Sequence, residues 1–364
     1  VKMTDKSLKN IRNKIDKIDQ EIYTLIQKRA SHAVAIGKIK SKISPNTSFY
    51  KPDRETKILR NIIKSNKKGL LPDSKIRIIY KELISGCLSL EEVLKVAYLG
   101  PEGTHSEAAV QNQFGSQVLK IPTSTIDDVF YQITNDEVNI GVVPVENSSE
   151  GVINTTLNCL ADSNNINIVG EVYLNIEHQL ASGNTFNIND AFAIASHPQA
   201  LGQCSKWIER NIGNIKRLEM PSSAVAAKYA KENKNILCIV NSMAIKNYKL
   251  KLIKKNIQDY SENKTRFLVI GKNNVEKTGK DKSSFLIQTP NKPGSLISVL
   301  KPFDKRNINL SKIETRPSRG NINSHDFFID CEGHQKDKKL KLAIKEVKDT
   351  GSFVRILGSY PQHV

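Results

Sequence analysis

The stretch Val96–Ser106, Val-Ala-Tyr-Leu-Gly-Pro-Glu-Gly-Thr-His-Ser, decides how the chain is organised. An apolar, β-rich run ends in a glycine-rich turn, and a helix is predicted from Glu107 to Phe114. This order of strand, turn and helix is typical of α/β proteins, in which free N–H groups at a helix N-terminus can hold an anion. It is not a Walker loop, because no Gly-Lys-Ser or Gly-Lys-Thr follows. We therefore predict that an α/β domain begins near residue 96.

Strands and helices continue to alternate up to about residue 280. Apolar runs predict strands at Gly141–Val145, Ile166–Leu174, Ala191–Ala195, Ile236–Val240 and Phe267–Ile270, and a helix at 152–161. Polar side chains follow strand ends, where open α/β sheets place their ligands. Because the chain leaves and returns, we expect two α/β lobes with a cleft between them. Ser196 and His197 invite comparison with hydrolases, but no Gly-x-Ser-x-Gly elbow exists, and a helix cap and a structural histidine are the alternatives.

Upstream of this domain, apolar residues recur at intervals of three and four. They are Leu8, Ile11, Ile15, Ile18, Ile22 and Leu25. This spacing predicts one long helix from about residue 5 to 43, which would measure roughly 60 Å. So long a helix in so small a domain needs a partner, and we expect a second copy of the chain.

Arg29 interrupts this apolar seam, where a guanidinium is costly unless it is paired. Lys40 lies on the same face of the helix, about 20° away, whereas Arg12 lies about 100° from that face. We therefore predict that Arg29 and Lys40 share a pocket and that Arg12 serves a different one. The alternative is that Arg29 extends to solvent, as long side chains do.

Two shorter helices are predicted after a polar loop at residues 44–48. Pro52–Glu55 is typical of a helix start, in which acidic residues can do no more than match the helix dipole. The third helix is predicted from Asp73 to about Val93. Its apolar face carries Tyr80, Ile84, Cys87, Glu91 and Leu94. Burial of Glu91 on that face should raise its pKa and favour the neutral, proton-donating form.

This layout resembles the all-helical chorismate mutase family, in which long helices of two chains interlace. The residues that match the family's site are Arg12, Arg29, Lys40, Arg54, Glu55, Cys87 and Glu91. The family rearranges chorismate, a dicarboxylate, to prephenate, using cations for the carboxylates and donors at the ether oxygen. By resemblance, Arg29 and Arg12 of the partner subunit bind carboxylates, and Arg54 supports the pocket. Glu55 binds the ring hydroxyl of the substrate, whereas Lys40 and Glu91 face its ether oxygen.

Two residues depart from the pattern of this family. The best-known relatives carry Gln at the position of Glu91, and a Glu can donate there only when it is protonated. The resemblance therefore implies a mutase activity that falls as the pH rises. Lys51 stands where some relatives have an Asp near the substrate hydroxyl, so that contact is not expected here.

The middle domain resembles prephenate dehydratase. The resemblance runs from Val96 to about Ile270 through five motifs in order: Gly100–Ser106, Val143–Ser148, Ile176–His178, Ser196–Gln199 and Thr265–Phe267. The family has a two-lobed fold like that of periplasmic binding proteins. It removes CO₂ and the ring hydroxyl from prephenate to give phenylpyruvate. Because aromatisation drives this reaction, the enzyme's task is to help hydroxide leave.

The family assigns the proton donor to the Thr of Thr-Arg-Phe, which here is Thr265. Further candidates for the prephenate pocket are Asn147, Ser148, Ser196 and Gln203. Arg266 either holds a carboxylate or braces the loop. His105 stands where an aromatic is common, and Tyr248-Lys249-Leu250 replaces a Tyr-Gly-Leu pattern. The loss of that glycine puts the local turn and the pocket edge in question.

The C-terminal segment predicts the order βαββαβ, which is the ferredoxin-like pattern. The strands are predicted at Ser284–Thr289, Leu310–Arg316, Asp326–Cys331 and Phe353–Leu357, and the helices at Gly294–Lys305 and Lys338–Lys348. The segment resembles an ACT domain, which in this family binds phenylalanine for feedback inhibition. The matching motifs, Asn291–Leu296 and Glu314–Pro317, give as effector residues Gly294, Ser295, Leu296, Glu314, Thr315, Arg316 and Pro317. Ser295 replaces a usual Ala, and a domain that only dimerises is the alternative.

Charge and composition limit the other function classes. Of the net charge of +18, residues 1–95 carry +12 and residues 281–364 carry +6, whereas residues 96–280 are balanced. No helix-turn-helix, zinc finger or RNP-like motif accompanies the charge, so we expect no nucleic-acid partner. No run of 18 apolar residues predicts a membrane span, and residues 1–10 lack a signal-peptide core. Five scattered cysteines without a Cys-x-x-Cys pair indicate a reduced, cytoplasmic chain without structural zinc.

Taken together, the chain is identified as a member of the bifunctional chorismate mutase–prephenate dehydratases with an ACT domain. The expected organisation is multi-domain, α plus α/β plus α+β, with boundaries at 1–95, 96–280 and 281–364. The resemblance implies chorismate and prephenate as substrates, phenylalanine as effector, no cofactor and no metal. It also implies a homodimer or higher homo-oligomer through interlaced N-terminal helices and ACT domains. Two alternatives stay open: a non-catalytic amino-acid sensor, and an enzyme with one activity left.

Overall fold

The computed structural model describes residues 2–43, 50–260, 262–289, 292–318 and 321–363. For residues 2–4, 43 and 321–324, only the backbone is described. The polar loop predicted at residues 44–48 therefore lies outside the described residues, as does Asn291 of the first predicted effector motif.

The N-terminal domain consists of three helices: α1 (Lys2–Ile43), α2 (Pro52–Ser65) and α3 (Asp73–Leu88). The long helix predicted from the apolar seam is confirmed. Burial along the described part of α1 begins only at Arg29, where the helix starts to face its two shorter neighbours. The seam residues from Leu8 to Leu25 are 48 to 65% exposed. The first part of α1 thus carries an uncovered apolar face.

The third helix is shorter than the sequence predicts. α3 ends at Leu88, whereas the expected end was near Val93, because the chain must leave the helix to enter the first strand of the next domain. Glu91 therefore lies in a turn closed by a hydrogen bond from its N–H to the Leu88 carbonyl, 2.9 Å long. Leu94 does not continue the helical face but packs in the core of the middle domain.

The middle domain has two lobes, as predicted. The first lobe contains β1 (Lys95–Leu99), α4 (His105–Phe114), β2 (Leu119–Thr123), α5 (Ile126–Thr134), β3 (Ile140–Asn147), β4 (Gly151–Val152), α6 (Asn154–Asp162) and β5 (Asn167–Asn175). The second lobe contains β6 (Gln179–Ser182), a 3₁₀ turn (Ile188–Asp190), β7 (Ala193–Ser196), α7 (Pro198–Gln203), α8 (Ser205–Asn211), β8 (Lys216–Glu219), α9 (Ser223–Glu232), β9 (Ile236–Val240), α10 (Ser242–Asn247) and β10 (Lys251–Lys254). The chain then returns to the first lobe through β11 (Lys264–Gly271).

Each lobe is built on one sheet. The first has six strands in the order β2-β1-β3-β11-β5, with β4 beside β3, and the second has the order β10-β6-β9-β7-β8. Helices α5 and α6 pack on one face of the first sheet, and α4 packs on the other. Both sheets are mixed, because β11 runs antiparallel to β3 and β5, and β6 antiparallel to β9.

Local sequence explains where several helices begin. Thr104 caps α4 by accepting a hydrogen bond from the Glu107 N–H, and Ser222 caps α9 in the same way through Val225. These polar caps satisfy N–H groups that the first helical turn leaves without partners. They also place the N-terminal ends of α4 and α9 at the mouth between the two lobes.

The turn after α10 keeps its form although the expected glycine is missing. Lys249 has a φ of +51°, in the left-handed region that a residue with a Cβ adopts at a cost. Position 249 follows the helix end, where glycine is the usual residue. The local turn that the substitution put in question is therefore present, with a lysine held in a glycine conformation.

The C-terminal domain confirms the predicted βαββαβ order. It contains β12 (Asp281–Gln288), α11 (Ser295–Asp304), β13 (Leu310–Ser318), β14 (Asn321–Glu332), α12 (Lys338–Asp349) and β15 (Phe353–Pro361). The strand order is β13-β14-β12-β15, and both helices pack on one face of this sheet. In the described part of the chain, no helix is long and apolar enough to cross a lipid bilayer.

The other face of this sheet packs against the first lobe. Leu286, Phe328, Leu357 and Tyr360 belong to the same hydrophobic cluster as residues of the first lobe such as Leu268. Strand β15 also approaches β5 closely: a Cβ placed on Gly358 would lie 2.1 Å from the Ile168 carbonyl oxygen. The two domains therefore share one continuous core.

Candidate active sites

The first candidate site is a cavity of about 410 Å³ between α1, α2, α3 and the turn after α3. Six of the seven residues predicted for chorismate line it: Arg29, Lys40, Arg54, Glu55, Cys87 and Glu91. Lys51, which departs from the family pattern, lines it as well. The cavity thus combines four cationic side chains with apolar walls such as Ile84, a combination suited to a small dianion with an apolar ring.

Two contacts hold the charged groups of this cavity in place. The Lys40 ammonium lies 3.0 Å from a carboxylate oxygen of Glu91, and the Glu91 side chain is 10% exposed. The Arg29 guanidinium donates a 3.4 Å hydrogen bond to the Leu83 carbonyl oxygen. Glu91 therefore faces a cation in this cavity, a contact that its place in the sequence did not reveal.

Glu55 is the carboxyl group whose environment is most unusual. Burial raises its pKa to about 7, although Lys81 and Arg29 act in the opposite direction. Burial and the neighbouring Arg77 lower the pKa of Lys81 to about 8. Glu55 therefore changes its charge near neutral pH, inside the cavity that would receive the substrate.

Arg12 is the one predicted chorismate residue that does not line this cavity. It lies on the exposed part of α1, about 25 Å along the helix axis from Arg29. No side chain spans that distance, so Arg12 cannot serve the cavity of its own chain.

The second candidate site is a cleft of about 290 Å³ between the two lobes. Thr265 and Asn147 line it from the first sheet, and Gln203 lines it from the second lobe. The ends of α4 and α9 contribute polar side chains, including Ser106 and Ser222. Among the described residues, no lysine or arginine lines this cleft, whereas Glu150 does.

Thr265 is held by its cross-strand partner. The strand β11 begins at Lys264, three residues earlier than predicted, so Thr265 lies within the strand and pairs with Asn147 of β3. Asn147 Nδ2 donates a hydrogen bond of 2.8 Å to Thr265 Oγ1. Because the Thr265 oxygen is the acceptor in this bond, its own hydrogen can be donated to a group in the cleft.

A second set of contacts connects the lobes beside Thr265. Asn263 Nδ2 donates to Gln203 Oε1 at 3.1 Å, and Asn263 Oδ1 accepts from Asn147 Nδ2 at 3.0 Å. The His178 ring lies 2.7 Å from the same Gln203 oxygen. His178 ends the motif Ile176–His178 and Asn263 lies two residues before Thr265, but the sequence assigned a role to neither. The signal that could have found them is their position next to strand ends.

Ser148 and Ser196 support the cleft without lining it. Ser148 Oγ donates to Asn263 Oδ1 at 3.2 Å and accepts from the Lys264 N–H at 2.9 Å. Ser196 is fully buried, and its hydroxyl donates to the Ile239 carbonyl at 2.6 Å. It is not the cap of α7 either, because His197 occupies that position.

Arg266 faces away from the cleft, as strand alternation requires of the residue after Thr265. Its guanidinium donates to Glu171 at 2.9 Å, to Asp330 at 2.6 Å and to the Tyr360 hydroxyl at 3.0 Å. Of the two alternatives left by the sequence, these contacts match bracing rather than carboxylate binding. What Arg266 braces is the interface with the C-terminal domain, not a loop.

His105 lies in the cleft at the first turn of α4. Its ring packs edge-on against His178 with centroids 6.0 Å apart. Burial, and to a smaller extent the neighbouring His178 ring, lowers the pKa of His105 to about 3. His105 is thus a neutral ring at physiological pH and replaces the common aromatic residue as a wall. Across the described residues, no group of three or more His, Cys, Asp or Glu side chains could hold a metal ion.

The predicted effector residues lie at two places in the C-terminal domain. Gly294, with a φ of +80°, caps α11, which Ser295 and Leu296 begin. Glu314, Thr315, Arg316 and Pro317 lie in β13, an edge strand. The Arg316 guanidinium donates to the Asn154 carbonyl at 2.7 Å, and so contacts α6 of the dehydratase-like lobe.

Three family descriptions match this chain in order. Chorismate mutase type II matches residues 11–92, prephenate dehydratase matches residues 96–275, and the ACT domain matches residues 283–349. A bifunctional chorismate mutase/prephenate dehydratase from Stutzerimonas stutzeri is 41% identical over 360 residues, which is 98% of each chain. A protein of the same description from Aquifex aeolicus is 40% identical over 358 residues, with the same coverage.

Solved structures match the middle and C-terminal domains together. Prephenate dehydratase from Arthrobacter aurescens in complex with L-Phe superposes with a TM-score of 0.68 at 28% identity, covering 74% of this chain and 90% of that one. Prephenate dehydratase from Staphylococcus aureus gives a TM-score of 0.62 at 29% identity, covering 73% of this chain and 100% of that one.

Proposed function

Because the chain belongs to the family of bifunctional chorismate mutase/prephenate dehydratases, we propose roles for the residues of its two cavities and of its ACT domain. The enzyme rearranges chorismate to prephenate and then converts prephenate to phenylpyruvate, in phenylalanine biosynthesis. We assign residues 1–95 to the mutase, 96–280 to the dehydratase and 281–364 to the regulatory domain.

In the mutase cavity, cations hold the two carboxylates of chorismate in a reactive shape. Arg29 binds one carboxylate, and Arg54 supports this pocket. Lys40 and Glu91, which lie 3.0 Å apart, face the ether oxygen, where negative charge grows as its bond to carbon breaks. Glu55 accepts a hydrogen bond from the ring hydroxyl of chorismate, and Cys87 packs beside the ring.

The mutase site is completed by a second copy of the chain. The exposed seam of α1 is a long apolar face, which is costly to leave in water and fits the same face of another copy. Arg12 of the partner subunit then supplies the second carboxylate-binding cation. Mixing Arg12→Ala and Arg29→Ala chains tests this, because only a shared cavity regains both arginines. Restored mutase activity is expected, and two inactive variants that stay inactive when refolded together would contradict it.

In the dehydratase cleft, Thr265 assists the departure of the ring hydroxyl. The carboxylate on the ring leaves as CO₂, its electrons form the aromatic ring, and the C–O bond on the opposite carbon breaks. Thr265 donates a hydrogen bond, and a proton, to the departing oxygen. The observation that carries this role is the bond from Asn147 Nδ2 to Thr265 Oγ1, because it leaves the Thr265 hydrogen for the substrate.

Asn147 and Gln203 bind prephenate from the two lobes, with Ser148 and Ser196 supporting them. Since the cleft lining lacks lysine and arginine, amide and hydroxyl donors and helix N-termini meet the charge of the dianion. Arg266, proposed from the sequence as a possible carboxylate ligand, takes no part in binding.

The ACT domain binds phenylalanine at its two motifs and inhibits the dehydratase. A structural neighbour described as a complex with L-Phe supports this role. The contact of Arg316 with α6 supports a direct connection between the effector motif and the dehydratase lobe. An assay supplying chorismate or prephenate, with and without phenylalanine, tests all three functions. Phenylpyruvate from both substrates and a lower rate with phenylalanine are expected. Failure to form phenylpyruvate from either substrate would contradict the two proposed activities. A rate that phenylalanine leaves unchanged would contradict the proposed inhibition.

A further inference from the structure

A series of hydrogen bonds orients the side-chain amides of the dehydratase cleft, and it begins at Asn147. The backbone N–H groups of Ser149 and Glu150 donate to Asn147 Oδ1 at 2.9 and 3.2 Å. Backbone N–H groups can only donate, so this end of the Asn147 amide is its oxygen. Its Nδ2 group must therefore supply the hydrogens for Thr265 Oγ1 and Asn263 Oδ1.

The orientation of the Asn147 amide also fixes the amides of Asn263 and Gln203 across the cleft. Because Asn263 Oδ1 is the acceptor for Asn147, its Nδ2 group is the donor to Gln203 Oε1, 3.1 Å away. Gln203 Oε1 is thus fixed as an acceptor. His178 Nε2, at 2.7 Å from that oxygen, must carry a hydrogen to make its contact favourable.

Among the described residues, the His178 ring has one hydrogen-bonding partner, the Gln203 side chain. His178 is 4% exposed, and its Nδ1 atom has no hydrogen-bond partner among the described residues. Burial lowers the pKa of His178, against the effect of its bond to Gln203, so the ring is neutral with its hydrogen on Nε2. Leaving Nδ1 without a partner is costly in a buried ring, which indicates that the Nε2 contact is the one the site needs.

We propose that His178 is a positioning residue of the dehydratase reaction, which fixes the Gln203 amide so that its Nε2 hydrogens point into the cleft. His178 lines the cleft beside Gln203, and its proposed role is exerted through the Gln203 amide, so the inference rests on the proposed contact between Gln203 and prephenate. Without His178, Asn263 would be the one described residue that holds Gln203 Oε1. An amide turned by 180° would then present that oxygen to a dianion, in a cleft whose lining has no lysine or arginine to compensate.

Three substitutions at one position separate positioning from packing. His178→Leu removes the donor, and His178→Gln places an amide N–H near the former Nε2 position. His178→Asn places it near Nδ1, too short to reach Gln203. We expect His178→Leu and His178→Asn to lower kcat/KM for prephenate roughly tenfold, the loss of about one hydrogen bond, and His178→Gln to restore most of it. Equal rates for the Gln and Asn variants would overturn the proposal.

Mutase activity in the same chain should stay unchanged in each variant, because the chorismate cavity shares no residue with this cleft. The decisive measurement is a double-mutant cycle with Gln203→Leu. If His178 acts through Gln203, then His178→Leu costs nothing further in the Gln203→Leu background. Additive losses would overturn the inference while leaving the role of Gln203 intact. A Gln203→Leu variant with full dehydratase activity would instead refute the parent proposal.

Discussion

Thr265 and Arg266 are consecutive in β11 and face opposite sides of the same sheet. Thr265 lines the cleft, whereas Arg266 is buried between Glu171 of β5 and Asp330 of β14. The proposed acid of the dehydratase and the central cation of the interface with the ACT domain therefore share one strand. A shift of this strand in response to the ACT domain would move the proposed acid directly.

Thr265→Ala should abolish phenylpyruvate formation and leave prephenate formation intact. Removing the proton donor should lower the dehydratase rate by at least about a hundredfold, a typical contribution of general acid catalysis. The mutase rate should stay unchanged, because its cavity lies in the helical domain. Assaying each step on purified substrate measures both effects. Thr265→Ser, which keeps the hydroxyl, is the control, and it should retain part of the dehydratase activity.

Arg266→Met should destabilise the protein by about 3 kcal/mol, because it removes one partner of a buried ion pair. Asp330 would lose Arg266, its one cationic partner among the described residues, although Ser284 still donates to it at 2.6 Å. Unfolding in urea measures the loss. Arg217→Met is the matched control, since Arg217 pairs with Glu209 at the surface and should contribute less than 1 kcal/mol. Equal effects of the two substitutions would show that the buried pair contributes no more stability than the surface pair.

Glu91→Gln should raise the mutase rate. The Glu91 carboxylate accepts a hydrogen bond from the Lys40 ammonium, 3.0 Å away, whereas a glutamine amide at this position can accept that bond and also donate one to the ether oxygen. Measuring kcat/KM for chorismate at pH 7 in both enzymes gives the comparison. A lower value for the variant would contradict the proposed position of this side chain at the ether oxygen.

Glu55→Gln should make the stability less dependent on pH. The pKa of Glu55 is raised from an ordinary value near 4.5 to about 7, so between these values the folded state keeps a proton that the unfolded state has lost. The contribution of Glu55 is therefore fully present below pH 4.5 and is lost as the pH rises through 7. Denaturation at pH 5 and pH 8 should show a smaller difference for the variant. A larger difference would contradict the assignment.

Lys249→Gly should stabilise the protein by about 1 kcal/mol, because glycine adopts the left-handed conformation without a Cβ clash. The φ of +51° at this position is retained in the variant, and the melting temperature should rise by a few degrees. Lys251→Gly is the control. Because Lys251 lies in the extended strand β10, the same change there should lower the stability of the protein. A lower melting temperature for Lys249→Gly would show that its side chain matters more than its backbone.

Periodicity predicted the elements that have strong local signals. The seam on α1 predicted a long helix, and β9 has the predicted bounds Ile236–Val240. By contrast, the short segments β2 (Leu119–Thr123) and β6 (Gln179–Ser182) carry little periodicity and were not predicted. The helix α5 (Ile126–Thr134) was missed although its buried residues Ile126, Val129, Phe130 and Ile133 have helical spacing. The start of α5 did carry a signal, a capping box of Thr125 and Asp128.

Six of the seven residues predicted for chorismate meet in one cavity. Helix geometry aligned Arg29 with Lys40, and the family resemblance supplied the others. In the dehydratase, order along the chain indicated which motifs matter, but not which side chains meet. The pairing of Thr265 with Asn147 depends on the register of β11 against β3, and the placement of Arg266 depends on where β11 begins. Ser196 was misplaced for a similar reason, since its partner Ile239 belongs to a strand that the sequence could not align with it.

The continuous core beneath Gly358 constrains how regulation can evolve. A module tethered by a flexible linker can lose control of its neighbour when the linker lengthens. Here the ACT sheet lies against the dehydratase lobe through interdigitated side chains, and close-packed interiors transmit small displacements rather than absorb them. Escape from feedback would therefore have to come from substitutions within the interface or at the effector motifs, and insertions between the domains would leave the mechanical connection in place.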